Sequence, residues 1–164
     1  MKKNSSPLDL HGTGYCASFN FRRTARAVTR LYDMALQESG LRSTQFAILV
    51  GIAKNQPVSI GALAAVLVID STTLTRSVRL LQKEGLVALS NRATMRQRFL
   101  TITAKGEHTL ARSLPAWRKA HERFVATIGS EYWVELRSEL ERLAHVAMNL
   151  EKPENETPAA PSNS

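Results

Sequence analysis

A single cysteine, Cys16, occurs among 164 residues, so the chain cannot close a disulfide within itself, and zinc motifs built on paired cysteines are excluded. No run of about 18 apolar residues occurs, so no membrane-spanning helix is expected. His11, His108, His121 and His145 show no pairing at helical metal spacing, and no acid or cysteine completes a ligand set, so neither a metal nor another cofactor is expected. Glycine-rich phosphate loops and nucleophile–base groupings are missing as well. Glu131, Glu135 and Glu139 share a helix face, but nothing in the pattern confines them in a cleft, so they read as solvated charge and not as an acid–base pair. Catalysis has no support. The opening "MKKNSSPLDLHGTG" has two lysines without an apolar stretch behind them, which argues against a secretory signal and for a cytoplasmic protein.

What the chain has in excess is positive charge. Its formal net charge is +8, a balance that favours polyanionic partners. The distribution is polarised: residues 59–106 carry seven bases against two acids, whereas residues 131–156 carry seven glutamates against three bases. One face for a polyanion and one kept away from it is the expected arrangement.

Apolar spacing then predicts a mostly α-helical chain with a small β-hairpin. Residues 1–14 and 152–164 are polar and punctuated by proline or glycine, and read as loose tails around one domain at 15–151. Phe21, Ala25, Val28, Tyr32 and Ala35 recur at three- and four-residue steps, predicting a helix over 15–39 that Gly40 ends. Ser43 or Thr44 is the expected cap of a second helix with Phe46, Leu49, Ile52 and Ala53 inward, broken by "NQP" at 55–57. Ser59 caps "SIGALAAVL", and after "VID" Asp70 caps a further helix that runs to Gly85. Two short helices joined by a tight turn form a helix-turn-helix. "LVALS" and "RFLTIT" read as two strands of a hairpin whose tip, "NRATMRQ", is basic. Thr103 should cap a helix towards Ile128 that Pro115 bends or interrupts. The last helix, 130–150, places Trp133, Leu136, Leu140, Leu143, Ala147 and Leu150 on one stripe. The long helices at 15–39 and 104–150 carry more apolar surface than the winged-helix core at 43–103 needs, which implies a partner.

The helix after Asp70, "STTLTRSVRLLQK", divides by face. Leu74, Val78 and Leu81 step by four and three and hold it to the core. Outside that edge stand Ser71, Thr72, Thr73, Thr75, Arg76, Arg79 and Lys83. In a major groove, hydroxyls serve any base, threonine methyls meet thymine and arginine prefers guanine; free amides at the helix start can also hold a phosphate. The bland alternative is a solvated face with ordinary cap neighbours. On the hairpin, Arg92, Arg96 and Arg98 cluster where only something negative, such as a minor groove, offsets their repulsion.

With these elements in order, the chain resembles the MarR family, the multiple-antibiotic-resistance regulators of bacteria. The matching stretches are "LRSTQFAIL" (41–49), "VSIGALAAVLVIDSTTLTRSVRLLQKEGLV" (58–87) and "ITAKG" (102–106). The resemblance implies a winged helix-turn-helix homodimer with interlocking terminal helices. Such a regulator binds near-palindromic double-stranded operators, often as a repressor, and is often released by a small phenolic or aromatic acid. It places Ser71 to Arg76 on the recognition helix and Arg96 at the arginine of the family's "D-x-R" wing signature. Thr94 stands where the aspartate of that signature belongs, leaving Arg92 or Arg98 as possible substitutes.

Tyr15, Phe19, Tyr32 and Phe46 can line a pocket for an aromatic effector or can be plain core. Arg22, Arg26 and Arg30 share a helix face that can hold an organic anion, contact a partner or simply face water. Cys16 invites comparison with the family's redox-sensing branch, the organic-hydroperoxide-resistance regulators. Aligning Tyr32 with their helix tyrosine puts their cysteine at Ser18 and a second tyrosine at Ser43, which weakens that reading. Two other readings stay open on sequence: a nonspecific architectural nucleic-acid binder, and a winged helix used for protein contacts.

Overall fold

Hydrophobic periodicity and capping become a helical fold with a small sheet in the computed structural model, which describes residues 10, 12–91 and 98–150. A single 3-10 turn, Thr13–Tyr15, precedes α1 (Ala17–Leu36). Then follow α2 (Ser43–Asn55), β1 (Val58–Ser59), α3 (Ile60–Leu67), α4 (Ser71–Lys83), β2 (Val87–Asn91), β3 (Arg98–Ile102), α5 (Ala104–Ile128) and α6 (Ser130–Leu150). The backbone divides into two compact units, Met1–Ala120 and His121–Ser164.

The core of the first unit is aliphatic. Leu36, Leu49, Ile52, Leu63, Leu74, Leu81 and Leu100 are wholly buried, so each of α1, α2, α3, α4 and β3 contributes at least one side chain. Each full burial of such a side chain is worth roughly 1.5–3 kcal/mol. Trp117 of α5 closes one side of this core by stacking on Phe46, with ring centroids 5.7 Å apart and planes 20° apart. In the second unit, Trp133 of α6 meets His121 and Phe124 of α5 edge-on, at 5.8 and 6.0 Å.

The caps at α3, α4 and α5 stand where the sequence places them. Ser59 Oγ accepts from the Ala62 amide at 3.1 Å, Asp70 caps α4, and Thr103 Oγ1 accepts from the Gly106 amide at 3.0 Å. The cap of α2 is different from the expected Ser43 or Thr44. Its first helical amide, that of Ser43, donates to Asp33 Oδ1 of α1 at 2.7 Å, while the Arg42 amide donates to Gln45 Oε1 at 2.9 Å. The Ser43 amide, with Arg42 beside it, holds the Asp33 carboxyl below its ordinary pKa. A residue ten positions upstream thus does the work expected of a local hydroxyl.

Two further departures concern the sheet and α5. The sheet has three strands in the order β1-β3-β2, not two, because Val58 and Ser59 pair antiparallel with Leu100 and Phe99. The helix α5 runs unbroken through Pro115 and is not interrupted there. In α1 and α6 the apolar stripes are largely uncovered: Phe21, Leu140 and Leu143 are exposed and Leu150 is 80% accessible. In the described residues of the hairpin, β2 and β3 pair from Val87↔Ile102 to Asn91↔Arg98. The tip of that hairpin and the chain ends beyond 150 and before 10 lie outside the described residues.

Gly106 sits where the head of α5 crosses the end of α4. A Cβ there would press on the Leu86 carbonyl oxygen inside van der Waals contact and come within 2.7 Å of Ile102 Cγ1. Backbone cannot yield as a flexible side chain can. Gly106→Ala should therefore destabilise the fold by roughly 1–3 kcal/mol or more. Gly61→Ala, on an open helical face with nothing within 4 Å, should instead stabilise it by about 0.4–1 kcal/mol. Urea titrations of both variants measure this, and equal midpoints would refute the packing described at Gly106.

Candidate nucleic-acid interface

The chain direction turns by 110° between α3 and α4, within the range of helix-turn-helix units. The turn is tight because Val68, at φ 50°, takes the left-handed conformation, and its neighbour Ile69 donates its amide to the Ala64 carbonyl at 2.9 Å. A β-branched residue in that region costs about 1–3 kcal/mol. The cost is offset by the seating of α4, whose Leu74, Val78 and Leu81 are at most 1% accessible.

With that edge inward, the opposite edge is outward. Ser71, Thr72, Thr75, Arg76 and Arg79 line a shallow open depression along the helix. The Thr75 hydroxyl donates to the Ser71 carbonyl at 2.7 Å, which leaves its lone pairs free to accept. Arg76 and Arg79 are exposed and make no ion pair among the described residues. Thr73 is exposed but does not line the depression; it lies round the helix towards Ser77, whose hydroxyl donates to the Thr73 carbonyl at 3.2 Å. Arg98 is exposed at the start of β3, while Arg92, Arg96 and Thr94 lie outside the described residues.

The start of α4 does not offer the free amides expected for a phosphate. Asp70 Oδ1 accepts from the Thr72 and Thr73 amides at 2.9 and 3.0 Å. These bonds, Thr73 first, hold the Asp70 carboxyl below its ordinary pKa, so that end of the helix presents a carboxylate. Phosphate contact there falls to side chains.

The expected effector residues separate into two groups. Tyr32 and Phe46 line an apolar cavity of about 460 Å³ together with Leu36, Val50, Leu67 and Trp117, with Lys54 and Asn55 supplying polar groups. Burial raises the Tyr32 phenol above its ordinary pKa. Tyr15 (93% accessible), Cys16 and Phe19 are exposed at the other end of α1 and line no part of that cavity. Cys16 to Tyr32 spans roughly 24 Å of helix. Trp117 and Lys54 escaped the sequence reading because their proximity to Tyr32 depends on α5 and α2 folding back together. Arg22, Arg26 and Arg30 are exposed along α1. Among the described residues no group of histidine, cysteine or acid side chains could hold a metal, and no single helix is long and apolar enough to cross a membrane.

A helix-turn-helix with an antiparallel strand pair behind it defines a winged-helix protein. A family model described as "MarR family" matches residues 39–97. The transcriptional regulator MosR of M. tuberculosis, solved in complex with DNA, is 33% identical; the match covers 84% of this chain and 99% of that one, with a TM-score of 0.76. The transcriptional repressor CouR, bound to a 23-mer DNA duplex, is 23% identical over 85% of this chain and 99% of its own, with a TM-score of 0.73. CouR from Rhodococcus jostii RHA1 bound to p-coumaroyl-CoA aligns at 21% identity over 82% and 95% of the two chains, with a TM-score of 0.68. A comparison with curated protein sequences finds no match. The chain belongs to the MarR family of winged-helix transcriptional regulators.

Because the folded chain favours the Asp70 carboxylate, the stabilising contribution of this cap is complete above the ordinary carboxylate pKa of about 4 and is lost as the pH falls through the lowered folded value. Thermal melts followed by circular dichroism between about pH 6 and 3 should show a shallower acid decline for Asp70→Ala than for the parent chain. Parallel declines would show that the cap's contribution does not depend on the charge of the Asp70 carboxyl.

Proposed function

We propose that the protein is a sequence-specific transcriptional repressor that binds a near-palindromic operator as a homodimer. The observation that carries this reading is the outward edge of α4, where two arginines without ion pairs among the described residues stand beside hydroxyls on a helix anchored from behind. Arg76 and Arg79 are suited to guanine edges or phosphates, and Ser71, Thr72 and Thr75 to base edges at close approach. Thr73 is placed for the helix flank. Arg98, with Arg92 and Arg96 from the wing, supplies charge for the neighbouring groove or backbone. MosR and CouR solved with DNA support the reading, and CouR's name supports repression.

The uncovered apolar faces of α1 and α6 support the dimer. Phe19, Leu31, Val134, Leu140, Val146 and Leu150 are all exposed in the single chain. Reading two half-sites in successive major grooves requires a second copy whose α4 lies about 34 Å away. The cavity beside Tyr32 and Phe46 supports release by a small effector with an aromatic body and an anionic end near Lys54. Such a ligand would act by favouring a dimer geometry in which both α4 helices cannot seat together. A redox trigger at Cys16 has less support, since the thiol is solitary and distant from this cavity.

Gel shifts at two salt concentrations test the DNA reading. Arg76→Ala should lose up to about 3 kcal/mol on a selected site and little on unrelated duplex. Arg98→Ala and Arg96→Ala should weaken both and reduce the salt slope by about 0.9 for each phosphate that is no longer neutralised. Unchanged slopes would remove the wing from the interface, and equal affinity for all duplexes would make the protein an architectural binder. Sedimentation at micromolar concentration should give a dimer; a monomer would sink the paired-reader arrangement.

A further inference from the structure

The end of α4 is gripped by the head of α5. The Glu84 carbonyl accepts from Lys105 Nζ at 2.7 Å, and the Gly85 carbonyl accepts from Thr103 Oγ1 at 2.7 Å. The Leu86 carbonyl accepts from the Thr103 amide at 3.1 Å, and Thr103 Oγ1 in turn accepts from the Gly106 amide at 3.0 Å. The last carbonyls of a helix have no partner within it and carry the negative end of its dipole, so an ammonium there is both a donor and a matched charge. The two ends of α4 are therefore held by opposite charges, the Asp70 carboxylate on the first amides and the Lys105 ammonium just past the last turn.

This changes the role of one basic residue. Lys105 belongs to the basic segment 59–106, whose charge reads as phosphate affinity. Its ammonium is directed at a carbonyl of its own chain, and its stem passes within 3.8 Å of the position a Cβ on Gly85 would take. A side chain bonded in this way can orient a helix. Reading base edges demands placement to about 0.5 Å and 10–20°. Leu74, Val78 and Leu81 seat α4 along one edge, and bonds at the two ends oppose any tilt about that edge.

We propose that Lys105 and Thr103 are positioning residues for DNA recognition: they fix the tilt of α4 through the Glu84 and Gly85 carbonyls and touch no DNA themselves. The inference rests on the reading of α4 as the DNA-contacting helix. The test uses the full-length chain with Lys105→Met, which keeps an unbranched stem, and Thr103→Val, which keeps the shape, with Thr103→Ser as the rescue variant. Hydrogen exchange of the free protein comes first, and amides over residues 80–86 should exchange on the order of tenfold faster in Lys105→Met and Thr103→Val but not in Thr103→Ser.

Fluorescence anisotropy then compares a duplex recovered by sequencing pulled-down genomic fragments with a scrambled duplex of equal length, at two salt concentrations. The proposal expects about a tenfold loss on the recovered duplex. The scrambled duplex should be unaffected, the salt slope unchanged, and Thr103→Ser close to the parent. A slope reduced by about 0.9 in Lys105→Met would overturn it, because Lys105 would then be neutralising a phosphate. Losses that are equal on both duplexes, or no loss on either, would also overturn it, leaving the grip as support for the fold alone. If the parent chain does not distinguish the two duplexes, the reading of α4 fails, while the exchange measurement still reports whether the grip exists.

Discussion

Everything on the outer side of α4 depends on the burial of Leu74, Val78 and Leu81 on its inner side. Three aliphatic side chains removed from water fix which edge faces out, and a rotation of one residue, about 100° on a helix, would swing Arg79 or Arg76, according to its sense, towards the core. The strained turn at Val68, the carboxylate on the first amides and the ammonium beyond the last turn refine an orientation that the apolar edge has already chosen. None of these would hold the helix without the seat.

This division of labour explains what the sequence disclosed. Periodicity and capping are local, so the helix-turn-helix, the caps at Ser59, Asp70 and Thr103, and the strands flanking the wing are legible residue by residue. The cap of α2 was not legible, since Asp33 reaches Ser43 from the previous helix. Nor was β1: two residues carry no alternating pattern, and their pairing with Leu100 and Phe99 spans some forty positions. Pro115 reads as a breaker locally, yet α5 continues through it. The amides at the start of α4 looked free on sequence because a cap and an anion site share one signature; only the bonds to Asp70 decide between them.

The cavity shows the same limit from the other side. Tyr32 and Phe46 were legible as candidates only as aromatics on amphipathic helices, indistinguishable from Tyr15 and Phe19. What separates the pairs is Trp117, some seventy residues beyond Phe46, stacked on its ring. Long-range packing therefore selects the effector candidates, whereas local pattern selects the DNA-facing ones. The exposed stripes on α1 and α6 are legible in kind, as apolar faces, and their lack of cover within one chain carries the case for a second copy.

Val68 makes the turn between α3 and α4 in the left-handed conformation. Its side chain is 57% accessible, so the left-handed residue between the two helices is neither a glycine nor a buried anchor. Glycine would relieve the left-handed strain there but would widen the range of angles open to α4, whereas the β-branched side chain narrows that range.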